Sequence, residues 1–233
     1  MDIKNISQYN MDFFNQCFDK HNFEELNNID VGVINKAIQL FTAVNKNKSP
    51  LFFDVGTNSG SFIKVIQSYG FNNVHCFEPQ PNLSQTVIEK YPYVKMNTMC
   101  LSDYCGTINI TFPKYSVGLS SVINRPVFKE LESGGQECLR VDVPTTTIDN
   151  YCSVNNIDII DFIKIDVEGA EKMVLDGASE MLKNGNIKMG LFEVGETLKD
   201  AGTCEDEICN MLKSYGYNIV TKIPMNYLFY KKV

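Results

Sequence analysis

The stretch LFFDVGTNSG, Leu51 to Gly60, changes abruptly from apolar residues to glycines and small polar residues. An apolar run that breaks into a glycine turn predicts a short buried strand followed by a tight turn. A helix should follow, because Ser61 to Tyr69 carries apolar side chains at spacings of three and four. The segment therefore predicts a strand, a glycine turn and a helix, in that order.

The glycine turn is suited to binding a ligand. Gly56 and Gly60 let backbone N–H groups approach a ligand closely, and the start of the helix adds a positive dipole end. The spacing G-x-x-x-G lacks the third glycine of the dinucleotide fingerprint, and no Gly-Lys-Ser/Thr follows it. Asp54, just before the turn, would repel a pyrophosphate. A cationic or polar ligand fits better, and an ordinary glycine turn is the alternative.

Short apolar runs alternate with amphipathic segments along most of the chain. Strands alternating with helices form β-α-β units, whose strands are parallel. The rhythm predicts an α/β fold with a Rossmann-like, doubly wound, mostly parallel sheet of seven strands. The predicted strands before the C-terminal segment are 51–55, 74–77, 94–101, 159–165 and 187–194. A helix at about 83–91 follows strand 74–77, a helix ending at 182 follows strand 159–165, and a helix at 205–215 follows strand 187–194.

Three segments depart from this rhythm. Residues 1–49 have helix-like apolar spacings and predict an N-terminal extension of two helices before a Rossmann-like domain at 50–233. Between about 106 and 143, two alternating segments predict an edge insertion, whose strands flank a mobile loop at 117–135. Residues 217–231 predict a C-terminal antiparallel hairpin.

Composition narrows the functional class. A chain of 233 residues with 44% hydrophobic residues can form one domain with an extension. No apolar run is long enough to span a bilayer and no signal peptide is evident, so a cytoplasmic location without a membrane partner is predicted. The eight cysteines form no C-x-x-C pair, which argues against a zinc ribbon. A net charge of −7 without a basic cluster argues against a nucleic-acid partner.

Polar residues stand at the end of every strand of the predicted parallel sheet. The carboxyl ends of parallel strands open into one crevice, where ligands of doubly wound folds bind. Any one of these residues could be a helix cap or a solvated carboxylate, but together they predict a site. They are Asp54, Glu78, Ser102, Asp103, Asp166, Glu168 and Glu193.

Several motifs resemble those of the FkbM-type S-adenosylmethionine-dependent methyltransferases. The resemblance covers about residues 51 to 194, with the motifs in the expected order, whereas residues 113–136 match poorly. The motifs are FFDVGTNSGSF, FEPQP, LSD at 101–103, GLSS at 118–121, Thr147-Ile148-Asp149, IKIDVEGAE, and LDGA at 175–178.

The resemblance implies a role for each matching position. The turn formed by Asp54, Gly56, Asn58 and Gly60 would surround the methionine part and the sulfonium of S-adenosylmethionine. Glu78 would accept hydrogen bonds from the ribose hydroxyls. The remaining implied contacts are Ser102 and Asp103 beside the adenine and Asp166 beside the sulfonium.

The chemistry of the transfer suggests the catalytic residues. Transfer to a hydroxyl needs an in-line approach of the acceptor and removal of its proton. His75 lies inside a predicted strand and is assigned to the core, so carboxylates are the candidate bases. Asp166, Glu168 and Glu193 are the predicted catalytic residues. Converging carboxylates would also suit a divalent cation, so that role stays open and no metal ligand is assigned.

The combined prediction is an S-adenosylmethionine-dependent methyltransferase that O-methylates a sugar or another small polar acceptor. Ser120, Ser121 and Asn124 of the insertion would close over the carboxylates and bind the acceptor. One alternative is a nicotinamide-dependent oxidoreductase, since Glu78 lies 22 residues beyond Gly56, as in that class. The other is a catalytically inactive Rossmann-like binding or scaffold domain.

Overall fold

The computed structural model describes residues 29–231 except 222 and 224. Its helices are α1 Ile29–Val44, α2 Ser61–Ser68, α3 Pro81–Lys90, α4 Pro126–Ser133, α5 Ile148–Val154, α6 Glu171–Asp176, α7 Ser179–Lys183, α8 Glu196–Asp200 and α9 Glu205–Ser214. Its strands are β1 Phe52–Val55, β2 Val74–Phe77, β3 Lys95–Asn97, β4 Cys100–Leu101, β5 Gly106–Pro113, β6 Cys138–Thr146, β7 Ile160–Ile165, β8 Ile187–Glu193, β9 Tyr217–Val220 and β10 Asn226–Lys231.

The main sheet has seven strands in the order β3-β2-β1-β7-β8-β10-β9. Strands β1, β2, β3, β7 and β8 pair in parallel, and β10 is antiparallel to both of its neighbours. The order reverses direction between β1 and β7, which is the place where doubly wound folds bind their ligands. The predicted mostly parallel seven-stranded sheet is confirmed.

Apolar residues on both faces of the central strands explain why they form the middle of the sheet. Every residue of β1 and of β7 is buried. Side chains alternate between faces along a strand, so neighbouring phenylalanines of β1 enter different cores. Phe52 packs in a cluster with α1 and α2, whereas Phe53 packs on the opposite face in a cluster with α5 to α9.

The predicted third strand, 94–101, is wrong in one respect because the structure divides it between two sheets. Strand β3 ends at Asn97, where the N–H of Met99 donates to the Asn97 carbonyl and turns the chain. Strand β4 then joins a second sheet with the order β4-β6-β5. A continuous apolar pattern reports burial, but it does not report which sheet a strand joins.

The insertion is more regular than the predicted mobile loop at 117–135. Strands β5 and β6 pair antiparallel, and a 3₁₀ helix, Val117–Leu119, and α4 lie between them. Helix α4 forms because Pro126 stands in its first turn and Phe128 is fully buried. The glycines and serines of the loop therefore serve turns within an ordered segment.

Helix α1 is the second of the two helices expected in residues 1–49, and the first, around residues 13–18, lies outside the described residues. Helix α1 packs on the sheet through Phe41, whose ring lies 5.3 Å from that of Phe52 and 5.6 Å from that of Phe162. Within the part of the chain that the structure describes, no helix combines the length and apolar character needed to cross a membrane.

Candidate active site

A cleft of about 550 Å³ opens at the carboxyl ends of β1, β2, β7 and β8, between the main sheet and the insertion. This volume lies within the range of small-molecule sites. The cleft is lined by six of the ten site residues predicted from the sequence, namely Gly56, Asn58, Glu78, Asp166, Glu168 and Glu193.

The turn after β1 can be formed only with glycine at its first position. Gly56 has φ +76°, and a Cβ atom there would lie 1.8 Å from the backbone oxygen of Asp166. Asn58 also has a positive φ, 48°, and faces the cleft. Gly60 does not line the cleft, because it precedes α2 with φ +84° and packs towards Tyr91. Gly56 therefore allows the β1 turn and the loop after β7 to approach closely.

Glu78 connects the ends of β1 and β2. It is 6% exposed, and its two carboxylate oxygens accept hydrogen bonds from the backbone N–H groups of Asn58 and Gln80, both at 2.9 Å. Burial raises the pKa of Glu78, and the two N–H groups oppose that shift. Each oxygen has a second lone pair, so Glu78 can accept further hydrogen bonds from a ligand hydroxyl.

Asp54 is fully buried and does not line the cleft, so it cannot contact a ligand directly. Its partner is Lys164 of β7, whose Nζ lies 3.5 Å from Asp54 Oδ1 and 3.2 Å from Asp166 Oδ2. Lys164 also donates to the carbonyl of Gly56 at 2.7 Å. Burial lowers the pKa of Lys164, but Asp166 and Asp54 outweigh it and raise the pKa. Asp54 therefore acts through Lys164, which positions Asp166 and the glycine turn.

Sequence reasoning missed Lys164, although one signal was available. Lys164 is a lysine inside the apolar strand IKI, where a buried charge needs a partner. Pattern analysis treats such a strand as core and does not indicate which carboxylates the lysine meets.

Three carboxylates meet on the other side of the cleft. Asp166, Glu168 and Glu193 each offer one oxygen, and these oxygens all lie within 4.8 Å of one another. Asp166 pairs with Lys164, and Glu168 pairs with Arg125 at 2.6 Å. The Oε2 atom of Glu193 is buried without a hydrogen-bond partner among the described residues. Glu193 is thus the one member of this group that no described cation pairs with.

The environment of Glu193 favours its protonated form. Burial, together with the negative charges of Asp166, Glu168 and Glu171, raises the pKa of Glu193 to about 9. A positively charged ligand beside this group would lower that pKa again, because it favours the ionised carboxylate. At neutral pH Glu193 can therefore accept a proton only after a cationic ligand has lowered its pKa.

Glu171 shapes the loop that carries two of these residues. It is fully buried, and its Oε1 accepts hydrogen bonds from the N–H groups of Val167 and Gly169 at 2.9 and 3.3 Å. Burial raises the pKa of Glu171 to about 7. Glu171 is the first residue of α6, and its contacts with the loop show a local structural role.

The structure does not bring Ser102 and Asp103 into the cleft, contrary to the expected adenine contacts. Ser102 is 1% exposed, and its hydroxyl lies 2.9 Å from that of Thr145 on β6. Asp103 is exposed and lies outside the cleft lining. The turn into the second sheet at β4 rotates these residues away, and Met99, Cys100 and Leu101 line the cleft instead.

The insertion contributes polar groups to the cleft. Ser120 and Ser121 line it as expected, but Asn124 does not. The Ser121 hydroxyl donates to the backbone oxygen of Glu168 at 2.8 Å. Gln80 Nε2 donates to the Ser120 hydroxyl at 3.4 Å. The segment from Ser116 to Arg125, here called segment 116–125, thus contacts the loops after both β2 and β7.

His75 has the core role expected of it. Its ring stacks on Phe53 at 5.4 Å, and its Nδ1 lies 3.1 Å from the hydroxyl of Tyr151. Burial and the charge of Lys95 lower its pKa to about 4, so it is neutral at physiological pH. It lies outside the cleft lining.

Comparison with solved structures agrees with the topology. The methyltransferase domain of METTL16 superposes with a TM-score of 0.50 at 10% identity, covering 91% of this chain and 72% of that one. A TehB-like S-adenosylmethionine-dependent methyltransferase from Corynebacterium glutamicum gives a TM-score of 0.41 at 11% identity, covering 85% of this chain and 87% of that one. At such identity, the METTL16 match concerns the fold alone.

Sequence comparison identifies the family. The 2-O-methyltransferase NoeI of Sinorhizobium fredii is 31% identical over 147 residues, which are 57% of this chain and 59% of that protein. The match therefore spans less than two thirds of that relative. Residues 54–219 match the methyltransferase FkbM domain, and this range includes the end of β1, all of β2, β7 and β8, and every residue that lines the cleft. This chain belongs to the FkbM family of S-adenosylmethionine-dependent methyltransferases.

Proposed function

We propose that this protein transfers the methyl group of S-adenosylmethionine to a hydroxyl group of a sugar or another small polar acceptor. The observation that carries the proposal is the unpaired carboxylate of Glu193 in the cleft, beside Asp166 and Glu168. The buried Oε2 atom of Glu193 has no hydrogen-bond partner among the described residues, so it can take the proton of an acceptor hydroxyl once a cationic ligand has ionised the group.

The described residues fit S-adenosylmethionine. Gly56 leaves room for close backbone approach, and the oxygens of Glu78 can accept hydrogen bonds from ribose hydroxyls. Met99 and Leu101, rather than Ser102 and Asp103, offer an apolar wall for the adenine. The carboxylate of Asp166 would attract the positively charged end of the cofactor.

Glu193 would act as the general base. When bound, S-adenosylmethionine supplies the methyl group as an electrophilic carbon on a positively charged sulfur. Glu193 would take the proton that the acceptor hydroxyl loses when its oxygen bonds to the methyl carbon and the bond between that carbon and the sulfur breaks, which would leave S-adenosylhomocysteine. Asp166, fixed by Lys164, orients the site, and the segment over the cleft excludes water.

The charge balance favours a base over a divalent cation. Lys164, which Asp54 also contacts, pairs with Asp166, and Arg125 pairs with Glu168. One oxygen of each of these two carboxylates is therefore already engaged by a protein cation. A hard divalent ion binds carboxylates that are free to coordinate it.

The site also bears on the two alternative functions. Family membership favours methyl transfer over hydride transfer to a nicotinamide, although both use an acidic residue at the position of Glu78. An inactive scaffold would not require three carboxylates to converge on an open cleft. We further propose a carbohydrate or other small acceptor rather than nucleic acid, because the chain has a net charge of −7.

The cysteines support the proposed cytoplasmic location. All seven cysteines among the described residues are free thiols, including the exposed Cys105. Free thiols persist in the reducing cytoplasm, whereas oxidising compartments favour disulfides. Fractionation of cells that produce the tagged protein would test this location.

The acceptor can be tested with labelled S-adenosylmethionine and a panel of free and nucleotide-linked sugars, small phenols, peptides and RNA. We expect label in a sugar, with and without a chelator. Methyl transfer only to peptide or RNA would contradict the sugar proposal. Loss of activity on chelation, with recovery on adding Mg²⁺, would assign the carboxylates to a metal.

Variants of two glutamates test the role of the base. Glu193→Gln should abolish transfer and keep the affinity for S-adenosylhomocysteine, because the amide preserves shape but cannot take a proton. Glu196→Gln on α8 is the matched control, since Glu196 is exposed and lies outside the cleft lining. Full activity of Glu193→Gln would remove Glu193 from the mechanism.

A further inference from the structure

Arg125 connects the insertion to two elements of the main domain. It is 8% exposed and stands immediately before α4. Its Nη1 lies 2.6 Å from Glu168 Oε2 in the loop after β7, and its Nε lies 3.4 Å from Asp200 Oδ2 in α8. A buried arginine with two carboxylate partners fixes the relative position of the elements that carry them.

Glu168 is held at both its backbone and its side chain. It has φ +57°, a left-handed conformation that is unusual for a residue with a side chain. The Ser121 hydroxyl binds its backbone oxygen at 2.8 Å, and Arg125 binds its carboxylate. Both partners belong to segment 116–125, so this segment maintains the conformation of Glu168 beside the reacting groups.

Arg125 also sets the charge next to the proposed base. The charged groups around Glu193 are the carboxylates of Asp166, Glu168 and Glu171 and the ammonium of Lys164. Arg125 adds a second cation by pairing with Glu168. Without Arg125, an unpaired Glu168 would lie beside an unpaired Glu193.

We propose that Arg125 is a positioning residue for methyl transfer, which holds segment 116–125 on the loop after β7 and neutralises Glu168 beside Glu193. This inference rests on the proposed function and adds to it a residue that touches neither the cofactor nor the acceptor. The contact between Gln80 and Ser120 joins the segment to the loop after β2 and does not involve Arg125. Loss of Arg125 should therefore affect the acceptor side more than cofactor affinity.

The kinetic test compares Arg125→Ala with Arg125→Lys. Misplacing the acceptor side should lower kcat/KM for the sugar found in the panel by about 10- to 100-fold in Arg125→Ala. Affinity for S-adenosylhomocysteine should stay within about threefold, since that change is under 1 kcal/mol. Arg125→Lys, which retains the positive charge, should recover part of the activity, and added guanidinium should partly rescue Arg125→Ala.

The pH profile separates positioning from general stability. Removing the Arg125 guanidinium raises the pH at which Glu193 ionises, because Glu168 then stands beside it without a cation. The acidic limb of the rate profile should therefore move to higher pH in Arg125→Ala. The matched control is Arg140→Ala, because Arg140 also pairs with one glutamate, Glu132, but does so on the exposed surface. If the acidic limb of the pH–rate profile stays at its wild-type pH in Arg125→Ala, the inference is overturned.

A second measurement needs no acceptor. Hydrogen exchange of segment 116–125 and of residues 168–171 should be at least about tenfold faster in Arg125→Ala, since it loses a contact that limits local opening. Arg140→Ala should leave this exchange unchanged. Wild-type exchange rates in Arg125→Ala would overturn the inference even if sugar methylation were confirmed. If the wild type methylates no sugar, the proposed function fails, while exchange still reports whether Arg125 holds the segment.

Discussion

Individual side chains in this cleft differ mainly in whether a protein cation already neutralises them. Asp54 and Asp166 share Lys164, Glu168 has Arg125, and Glu193 has no such partner among the described residues. A buried ion pair contributes little net stability, but removal of one partner leaves a costly uncompensated charge. Pairing therefore distinguishes carboxylates that look equivalent in sequence, and it leaves Glu193 as the proposed base.

Glu78 is predicted to contribute to cofactor affinity through its charge. Glu78→Ala should weaken S-adenosylmethionine binding by roughly 1.5 to 3 kcal/mol, the range for hydrogen bonds to a charged group. Calorimetric titration would measure the dissociation constant, and circular dichroism would check the fold. An unchanged dissociation constant in the folded variant would exclude Glu78 from the site.

Glu193 should make stability depend on pH. Its pKa is about 9 in the folded protein against an ordinary value of 4.5. Between these values the folded state binds more protons than the unfolded state, so the free energy of unfolding falls as pH rises. Glu193→Gln removes this contribution, so its stability relative to the wild type should increase from pH 5 to pH 9 by about 1 kcal/mol or more.

Urea unfolding at several pH values would measure this difference. Glu196→Gln changes an exposed glutamate, so its free energy of unfolding should vary with pH as that of the wild type does. If the free energy of unfolding of Glu193→Gln also varied with pH as in the wild type, Glu193 would ionise normally in the folded protein.

At the scale of elements, close approach of two loops forms the cleft. The turn after β1 touches the backbone after β7 at Gly56, and Lys164 of β7 binds the carbonyl of that same glycine. The strand–turn–helix unit at residues 51–69 thus depends on an element more than a hundred residues later. The local pattern predicted the turn, and the distant strand determines its position.

A variant of this turn should lose cofactor binding. Gly56→Val should abolish binding of S-adenosylhomocysteine, because its Cβ would collide with the backbone of Asp166. Gly70→Val is the matched control, since Gly70 also has a positive φ, +83°, and a Cβ atom there would meet no other atom within 4 Å. Both variants should lose about 1–2 kcal/mol of stability from the left-handed backbone, and Gly56→Val should lose more because of the collision. In the folded fraction, only Gly56→Val should lose binding. Retained binding would show that the ligand does not approach the turn.

For the whole molecule, the sheet separates the packing of α1 from the site. Helix α1 belongs to the core cluster of Phe52 and Phe162, and none of its residues lines the cleft. The cleft lies at the carboxyl edge of the strands, where loops carry the reactive groups and the sheet provides a rigid base. Stability and ligand affinity should therefore respond to different substitutions.

Phe41→Ala tests this separation. Loss of a buried phenylalanine that contacts Phe52 and Phe162 should cost about 3–5 kcal/mol of unfolding free energy. The folded fraction should bind S-adenosylhomocysteine with wild-type affinity. Tyr115→Ala, at a side chain 78% exposed, should leave stability unchanged. A large loss of affinity in folded Phe41→Ala would show that α1 is coupled to the site.

The sequence by itself determined the parallel sheet, the glycine turn, and the family to which the chain belongs. These features depend on local periodicity and on short motifs, such as those around Gly56 and Asp166, which one stretch of chain contains in full. Six of the ten predicted site residues line the cleft for this reason, because the strands of a parallel sheet end at one edge.

Only the tertiary structure decided which groups pair and which face the ligand. Lys164 of β7 pairs with Asp54 of the neighbouring strand β1, and Arg125 pairs with Glu168, which lies 43 residues later in the chain. The same applies to Ser102, which the second sheet turns away from the cleft towards Thr145. Periodicity reports the face on which a side chain lies within its own element. Ion pairs and sheet partners depend on distances between elements that are far apart in sequence, and these distances exist only in the folded chain.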